Sequence, residues 1–248
     1  MILKLNARTL TAITVMSALT LQVQAAGVVL VPLSSASTYQ PPAPWRAVGV
    51  PSGKIPLTNF TMADVDGRKV LRIATSKSYG NLVHDLPLGA NAAGLRLNWR
   101  WRLEEALQGA DLHTRQGDDS PLKVCVLFDM PLEKLGLIER NLFRMARAAS
   151  SEKLPSATLC YVWDEKLNPA TLLSNAYTSR VRTIVATSGH QHLGQWIIQS
   201  RDIAADFRKA FGAESDTLPP MLAVLVGGDA DNTGGHSLGY VDDVRLEP

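Results

Sequence analysis

The chain has 248 residues, with 25 Lys and Arg against 23 Asp and Glu. Lys4 and Arg8 lie in an N-terminal segment that we expect to be removed, which would leave 23 residues of each sign. A neutral chain without a basic run lacks the electrostatic footprint of a nucleic-acid-binding protein, so we exclude nucleic acid as a partner.

Residues 1–25 have the three parts of a secretory signal peptide. Lys4 and Arg8 form the positive region, 9–21 form a short apolar run, and Val23-Gln24-Ala25 has the small-x-small pattern that signal peptidase reads. The run is too short for a membrane anchor, since a span needs roughly 20 apolar residues. We therefore expect a periplasmic or secreted protein with no membrane span after cleavage.

The remaining chain, 26–248, is long enough for a single β-sandwich domain with a full core. Its first part, 26–56, is expected to be extended, because proline fixes its own backbone and biases the preceding residue away from helix. The prolines that carry this prediction are Pro41, Pro42, Pro44, Pro51 and Pro56.

The clearest strand pattern runs from Leu95 to Leu103, where five apolar residues alternate with four polar ones. This period of two predicts a strand with one face on a core. Asp66-Gly67 predicts a hairpin turn after a strand at 60–65. Strands joined by Gly, Pro, Asn and Asp loops predict a mainly β fold, a β-sandwich or jelly roll, with two short packed α-helices. Similar runs predict further strands at 70–74, 123–129, 157–163, 181–187, 195–199, 222–226 and 237–246.

Two segments have helical spacing. Between 132 and 149, apolar residues recur every three or four positions and basic residues lie elsewhere on the wheel. We interpret this segment as a helix packed over a sheet edge. The alternative is a basic amphipathic helix that lies on a membrane surface or meets a partner. The second segment, 202–211, begins with Asp202, which suits an N-cap, and ends before Gly212.

Cys125 and Cys160 each lie in the middle of a predicted strand. In an oxidising compartment they form a disulfide between neighbouring strands if their Cα atoms lie within about 7 Å, and otherwise remain two buried thiols. The sequence leaves both alternatives open.

Seven short motifs follow one another along the chain: W-R-W (99–101), G-D-D (117–119), L-C-Y-V-W (159–163), Y-T-S-R-V (177–181), G-Q-W (194–196), R-D-I-A-A-D-F (201–207) and D-A-D-N-T-G (229–234). In this order they resemble a bacterial exported family known as domain of unknown function 3047. This resemblance implies a Gram-negative periplasmic or secreted β domain, and the family has no established reaction, so it assigns no catalytic residue.

The last of these motifs resembles the opening of a calcium-binding loop. Asp229, Asp231 and Thr233 place oxygen donors at its first, third and fifth positions, and Gly234 allows the turn. The twelfth position is Tyr240 rather than the usual bidentate glutamate. The alternative is a tight loop in which these side chains cap backbone groups. Calcium is the one cofactor that the sequence suggests.

A ligand groove is predicted where the polar face of the Trp99 strand approaches the 117–119 turn. Carboxylates there could accept sugar hydroxyls, and arginines could pair with acidic groups. The alternative is a set of cross-strand salt bridges on a solvated sheet face. The predicted ligand-binding residues are Arg100, Arg102, Asp118, Asp119, Tyr177 and Arg180.

These features predict a binding module for a glycan or another envelope ligand. One alternative is a glycan-active hydrolase or lyase on the same fold, which needs paired acid and base groups in one cleft. The other is an envelope scaffold or assembly partner, which a large exposed apolar patch without a polar cleft would favour. The residues whose convergence would favour an enzyme are Asp118 or Asp119 with Asp231, Glu165 or His113.

Overall fold

The computed structural model describes residues 28–50, 53–133, 135–149 and 154–248. The predicted signal peptide at 1–25 lies outside the described residues. Within these ranges, no helix is long and apolar enough to cross a membrane.

Strands dominate the described chain, with two α-helices and one 3-10 turn at Leu33–Ser35. In chain order the elements are β1 (Arg46–Val48), β2 (Asn59–Val65), β3 (Arg68–Ser76), β4 (Tyr79–Ala90), β5 (Arg96–Glu105), β6 (Lys123–Phe128), α1 (Leu137–Ala149), β7 (Ala157–Asp164), β8 (Leu172–Ser174), β9 (Val181–Ser188), β10 (Ile197–Asp202), α2 (Ile203–Phe211), β11 (Met221–Asp229) and β12 (His236–Glu247).

The strands form two sheets. One has seven strands in the order β1-β4-β11-β6-β7-β9-β8, and the other has five in the order β10-β5-β12-β3-β2. Neighbours are antiparallel except for β7 and β9. The predicted mainly β sandwich is confirmed, as is the hairpin between β2 and β3.

The core lies between the two sheets. On β5 the alternation of the sequence puts Trp99 and Trp101 on the inner face, where both are fully buried. Their rings meet inner residues of the other sheet: Trp99 lies 5.3 Å from Tyr161, and Trp101 lies 5.9 Å from Trp163, between ring centroids. Aromatic pairs of this kind hold the two sheets face to face.

The central strands of the seven-stranded sheet are buried on both faces. Every residue of β6 and β7 is buried, so the alternation seen on β5 is absent there. A strand covered on both sides reads as a continuous apolar run rather than an alternating one. The outer face of this sheet therefore has its own apolar cluster, which includes Leu127, Val162 and Leu225.

The sequence did not predict β4, although it lies inside the seven-stranded sheet between β1 and β11. Gly80, Pro87 and Gly89 interrupt any periodic pattern along it. The extended segment at 26–56 also contributes more than expected. Its Trp45 is buried and donates from Nε1 to the carbonyl of Val31 at 2.7 Å.

The second predicted helix is confirmed as α2. Asp202 caps it by accepting from the backbone N–H of Ala205 at 2.9 Å, and the helix ends at Gly212. The interpretation of 132–149 as a core-covering helix is wrong, because four large apolar side chains of α1 are exposed and Phe143 is only half-buried. The exposed side chains are Leu137, Ile138, Leu142 and Met145. The core position beside Phe128 is occupied instead by Phe207 of α2, 4.7 Å away between ring centroids.

Candidate ligand cavity

A cavity of about 730 Å³ lies on the outer face of the seven-stranded sheet. Its floor is a row of paired residues that crosses five strands, from β4 through β11, β6 and β7 to β9. The volume falls within the range of small-molecule sites, about 300 to 1,000 Å³. The row consists of Val83, Leu225, Cys125, Cys160 and Thr183.

A disulfide forms the centre of this floor. Cys125 and Cys160 are directly paired across β6 and β7, with Cα atoms 4.1 Å apart and an S–S bond of 2.07 Å. Of the two alternatives that the sequence left open, the structure has the disulfide.

Lys123 and Asp229 mark a charged end of the cavity. The ammonium of Lys123 lies 2.7 Å from Asp229 Oδ2 and 4.8 Å from the ring centroid of Tyr79. Burial alone would lower the pKa of Lys123, but the charges of Asp229 and Tyr79 outweigh it, and the pKa is raised. These two charges therefore favour the charged form of Lys123.

Asp118 lies at the same end and accepts from Asn175 Nδ2 at 2.5 Å. Burial raises the pKa of Asp118, the hydrogen bond from Asn175 opposes that shift, and the charge of Asp229 adds to it. Tyr177 reaches the same region and donates from its hydroxyl to Asn232 Oδ1 at 2.7 Å. The loop that carries Asn175 and Tyr177 thus meets the 118–119 turn and the 229–234 loop at the wall of the cavity.

Asp231 completes the charged end. Burial raises its pKa, and the nearby charges of Asp119 and Asp229 raise it further. Its Oδ1 atom is buried without a hydrogen-bond partner. Asp231 and Asp118 are therefore the two carboxyl groups lining this cavity whose pKa is raised, in each case mainly by burial.

Asp119 and Asp229 already have hydrogen-bond donors on both oxygens. Asp119 accepts from the backbone N–H and hydroxyl of Thr233, each at 2.7 Å, and from the backbone N–H and side chain of Asn232, each at 3.2 Å. Asp229 accepts from the backbone N–H of Ser120 at 2.8 Å and from Lys123. Both carboxylates thereby fix the loops that surround the cavity.

Of the predicted calcium ligands, Asp229 and Asp231 come together, and Asp119 joins them. Oxygens of these three carboxylates lie within 4.8 Å of one another. The hydroxyl of Thr233, the other predicted ligand, donates to Asp119 at 2.7 Å. The ammonium of Lys123 pairs with Asp229 at 2.7 Å. Calcium binding stays a prediction.

The six residues of the predicted groove do not lie in one groove. Asp118 and Tyr177 line the cavity, and Asp119 supports its wall. Arg100 and Arg102 lie on the outer face of the other sheet, because their neighbours Trp99 and Trp101 fill the core between the sheets.

On that face both arginines form salt bridges, which was the alternative to a ligand groove. Arg100 binds Asp242 at 2.6 Å, and Arg102 binds Asp66 at 3.1 Å. Arg180 lies elsewhere again, with Glu139 of α1 at 3.3 Å and Glu214 as its ion-pair partners.

Several cavity residues were missed from the sequence. Lys123 lies at the start of an apolar run, two residues before Cys125 and four before Leu127. Residues at this spacing on a strand point to the same face, and this spacing was the signal that all three line the cavity. Asn175 and Asn232 lie in loops, where no periodic signal marks them.

The fold and the cavity together define a β-sandwich protein with a ligand-sized cavity on one sheet. The chain belongs to the family described as "Protein of unknown function (DUF3047)", which matches residues 43–245. No curated protein matches the sequence.

The chain also shares low similarity with solved structures of β-sandwich proteins. The family 11 carbohydrate-binding module of Clostridium thermocellum, in complex with a mixed-linked tetrasaccharide, is 10% identical with a TM-score of 0.40, covering 90% of this chain and 96% of that one. The xyloglucanase domain of NopAA from Sinorhizobium fredii is 8% identical with a TM-score of 0.39, covering 83% and 98%. The catalytic domain of Humicola grisea Cel12A is 9% identical with a TM-score of 0.40, covering 78% and 87%. TM-scores this low do not assign a ligand.

Proposed function

We propose that the protein is a binding module for an amphipathic envelope ligand, with a hydroxyl-bearing head such as a sugar and an apolar chain. The observation that carries this proposal is the cavity, in which an aliphatic floor runs into a cluster of charged and hydrogen-bonding residues.

The floor favours an apolar ligand. Val83, Leu127 and Leu225 face the cavity, and flat aromatic side chains of the kind that stack on sugars are absent from this part of the described lining. The tryptophans Trp99, Trp101 and Trp163 are instead fully buried, and their rings pack together in the core between the sheets. Burial of an alkyl chain on such a floor is favourable by about 0.8 kcal/mol for each methylene.

The charged end favours a head group with hydroxyls. Asp118 and Asp231 line it, and Asn175 and Asn232 add amide groups beside them. Carboxylates and amides are hydrogen-bonding partners for sugar hydroxyls. The glycan that the sequence predicts is therefore proposed as the head of the ligand. The proposed envelope location of that ligand follows from the predicted signal peptide.

Alkyl glucosides with chains of one to eight carbons test this proposal by isothermal titration calorimetry below their critical micelle concentrations. Affinity should rise by up to about fourfold for each added methylene until the chain fills the floor. Free glucose and cello-oligosaccharides are the head-only probes. If affinity does not depend on chain length, the apolar part of the proposal is refuted; tight binding of the oligosaccharides alone would make it a plain glycan module.

A matched pair of variants locates the binding. Ala223→Phe fills the floor of the cavity, where Ala223 is buried, and should weaken octyl glucoside at least tenfold. Ala213→Phe makes the same change at an exposed position after α2 and should leave the affinity unchanged. Equal affinities for the two variants would place the ligand outside the cavity.

A second candidate function is a glycan-active hydrolase. The observation that favours it is the pair Asp118 and Asp231, which line one cavity and both have raised pKa values, as a general acid requires. Glu165 and His113 do not join them: Glu165 lies 3.6 Å from His190, and His113 lies 3.2 Å from Asp111. Release of free sugar from the alkyl glucosides, lost in Asp118→Asn or Asp231→Asn, would establish this activity, and binding without turnover would exclude it for these substrates.

A further inference from the structure

Helix α1 presents an apolar face to solvent. Ile138, Leu142 and Met145 follow one another at intervals of four and three residues and therefore lie on one side of the helix. Their exposures are 79%, 61% and 69%, and that of Leu137 at the helix start is 74%. Isolated exposed apolar residues are ordinary, but four large ones on one short helix form a patch, which marks an interaction site.

The polar side of α1 faces the protein. Arg147 donates to Asp129 at 2.6 Å and to the carbonyl of Leu154 at 3.1 Å, and Glu139 pairs with Arg180 at 3.3 Å. A helix that covers a core has the opposite orientation. These contacts hold the apolar side outward, so its exposure is a consequence of how α1 is fixed to the sandwich.

The exposed charge of α1 favours an anionic surface as its partner. From 137 to 149 the helix has three arginines and one glutamate. Arg147 pairs with Asp129 and Arg140 donates to the carbonyl of Leu135, so Arg144 is the arginine of this helix that is exposed beside the apolar face. An apolar face flanked by arginine is the pattern of a helix that lies in the interface of an anionic bilayer. Such a helix binds by burying apolar side chains while cations meet the lipid head groups.

The position of α1 connects this surface with the cavity. Leu154, which accepts from Arg147, lines the cavity together with Pro155. Both residues precede β7, so they lie at the Leu127 end of the floor, away from Lys123, Asp118 and Asp231. The Arg46–Asp85 ion pair lines the cavity at this same end. The helix is therefore fixed beside the Leu127 end of the cavity.

We infer that α1 docks the protein on an anionic lipid bilayer, with the Leu127 end of the cavity next to the membrane. This inference rests on the proposed function in one respect, because it makes the bilayer the source of the amphipathic ligand. The docking itself depends only on α1.

Co-flotation with vesicles tests the docking. The full chain is expressed, and the exported form is purified and mixed with vesicles of phosphatidylethanolamine and phosphatidylglycerol, or of phosphatidylcholine alone. We expect the protein to float with the anionic vesicles, and the bound fraction to fall at least fivefold with phosphatidylcholine or at high salt. Absence from the anionic vesicle fraction overturns the inference.

Leu142→Glu should reduce the vesicle-bound fraction at least fivefold, because it places a carboxylate in the centre of the apolar face. Leu88→Glu is the matched control, since Leu88 is 96% exposed on β4 and outside the cavity lining. Both variants keep the same N-terminus, so any contribution of that segment cancels. An equal loss of vesicle binding in both variants overturns the inference. The inference also fails if the wild type does not bind vesicles but forms a dimer in light scattering that Leu142→Glu dissociates. That result would assign the apolar face to a second copy of the chain.

Calorimetry with octyl glucoside separates the two proposals. Leu142→Glu should bind octyl glucoside like the wild type while failing to float with vesicles. If the wild type binds the glucoside but not vesicles, the docking fails and the cavity function stands. If it binds vesicles but not the glucoside, the docking stands and the cavity function fails.

Discussion

At the scale of single residues, the cavity concentrates unfavourable electrostatics. Four aspartates, Asp118, Asp119, Asp229 and Asp231, share one region with the cation Lys123. Two of them are satisfied by several donors, whereas Asp231 keeps a buried oxygen without a partner. Residues held in such surroundings lower stability and are characteristic of functional sites.

Asp231→Asn should stabilise the protein at neutral pH. The pKa of Asp231 is raised, so the folded state disfavours the ionised carboxylate, and the penalty is fully present above the raised pKa. It decreases as the pH falls through that value and is gone below the unfolded pKa of about 3.9. Because the carboxylate is half-buried and partly screened by solvent, we expect a rise in Tm of about 1 to 3 °C at pH 7.

Thermal melts of both proteins from pH 7 down to pH 3.5 check this prediction. The difference in Tm should shrink as the pH falls. A wild type that is more stable than Asp231→Asn at pH 7 would show that the carboxylate is stabilised by a contact, such as a bound cation.

Calcium provides a separate test of the same cluster. Because Lys123 already pairs with Asp229, and Asp119 accepts four hydrogen bonds, we expect millimolar calcium or a chelator to change Tm by less than about 1 °C. Lys123→Met removes the competing cation and should make the melt calcium-dependent. A rise of several degrees in the wild type would instead establish the calcium site suggested by the sequence.

At this scale the sequence could predict which polar and charged residues are candidates for a site, but not which of them lie together in the fold. Asp118, Tyr177 and Asp231 were predicted site residues and do line the cavity. Arg100 and Arg102 were grouped with them because they share a polar strand face, but alternation does not say which sheet the strand joins. The five-stranded sheet places these arginines on the far side of the core.

At the scale of elements, close backbone contact between β11 and the loop before β6 positions the charged end. Asp229 at the end of β11 donates from its backbone N–H to Ser120 and accepts from the backbone N–H of Ser120. A Cβ atom on Gly228 would lie 2.6 Å from the carbonyl oxygen of Pro121. Only glycine allows the strand to come this close.

Gly228→Ala should therefore destabilise the protein by about 1 to 3 kcal/mol, the usual cost of overpacking. Urea unfolding measures the change. Gly136→Ala is the control, because a Cβ there meets nothing within 4 Å and the backbone is not left-handed. Gly136 directly precedes α1, where alanine is a poorer N-cap than glycine, so this change should cost less than about 1 kcal/mol. Equal stabilities for the two variants would mean that the loop moves freely away from β11.

The periodicity of apolar residues predicted the strands and helices that bury one face against the core. It failed for elements without such a face. The alternation of β5 gave its bounds within two residues. β4 has Pro87 and two glycines and was missed. The spacing of α1 gave a correct helix with the wrong face inward, because a helical wheel shows that one side is apolar but not what that side contacts.

At the scale of the whole molecule, the seven-stranded sheet serves two purposes. Its inner face completes the core with the other sheet, and its outer face forms the floor of the cavity. The sandwich was predictable from strand count and turns. The unbroken apolar runs of β6 and β7 were the one signal of burial on both faces. Such a run does not show whether the outer face is covered by other parts of the protein or borders a ligand-sized cavity.

In the described part of the chain, the disulfide is the one covalent link between the central strands β6 and β7. Its removal tests how much it stabilises the sheet that forms the floor of the cavity. Cys125 and Cys160 close a loop of 35 residues that contains α1. From the size of that loop, Cys125→Ala with Cys160→Ala should lower the free energy of unfolding by about 3 to 4 kcal/mol. Urea unfolding under non-reducing conditions measures this change.

Wild-type protein that is unfolded, reduced and refolded with a reductant should show the same loss as the double variant, because both lack the same cross-link. Binding of octyl glucoside should survive in both, since Val83 and Leu225 on either side of the sulfurs come from other strands. If the double variant kept wild-type stability, the prediction would be wrong, because the disulfide would then contribute nothing to the free energy of unfolding beyond the pairing of β6 with β7. Loss of binding with stability retained would instead place the ligand directly on the sulfurs.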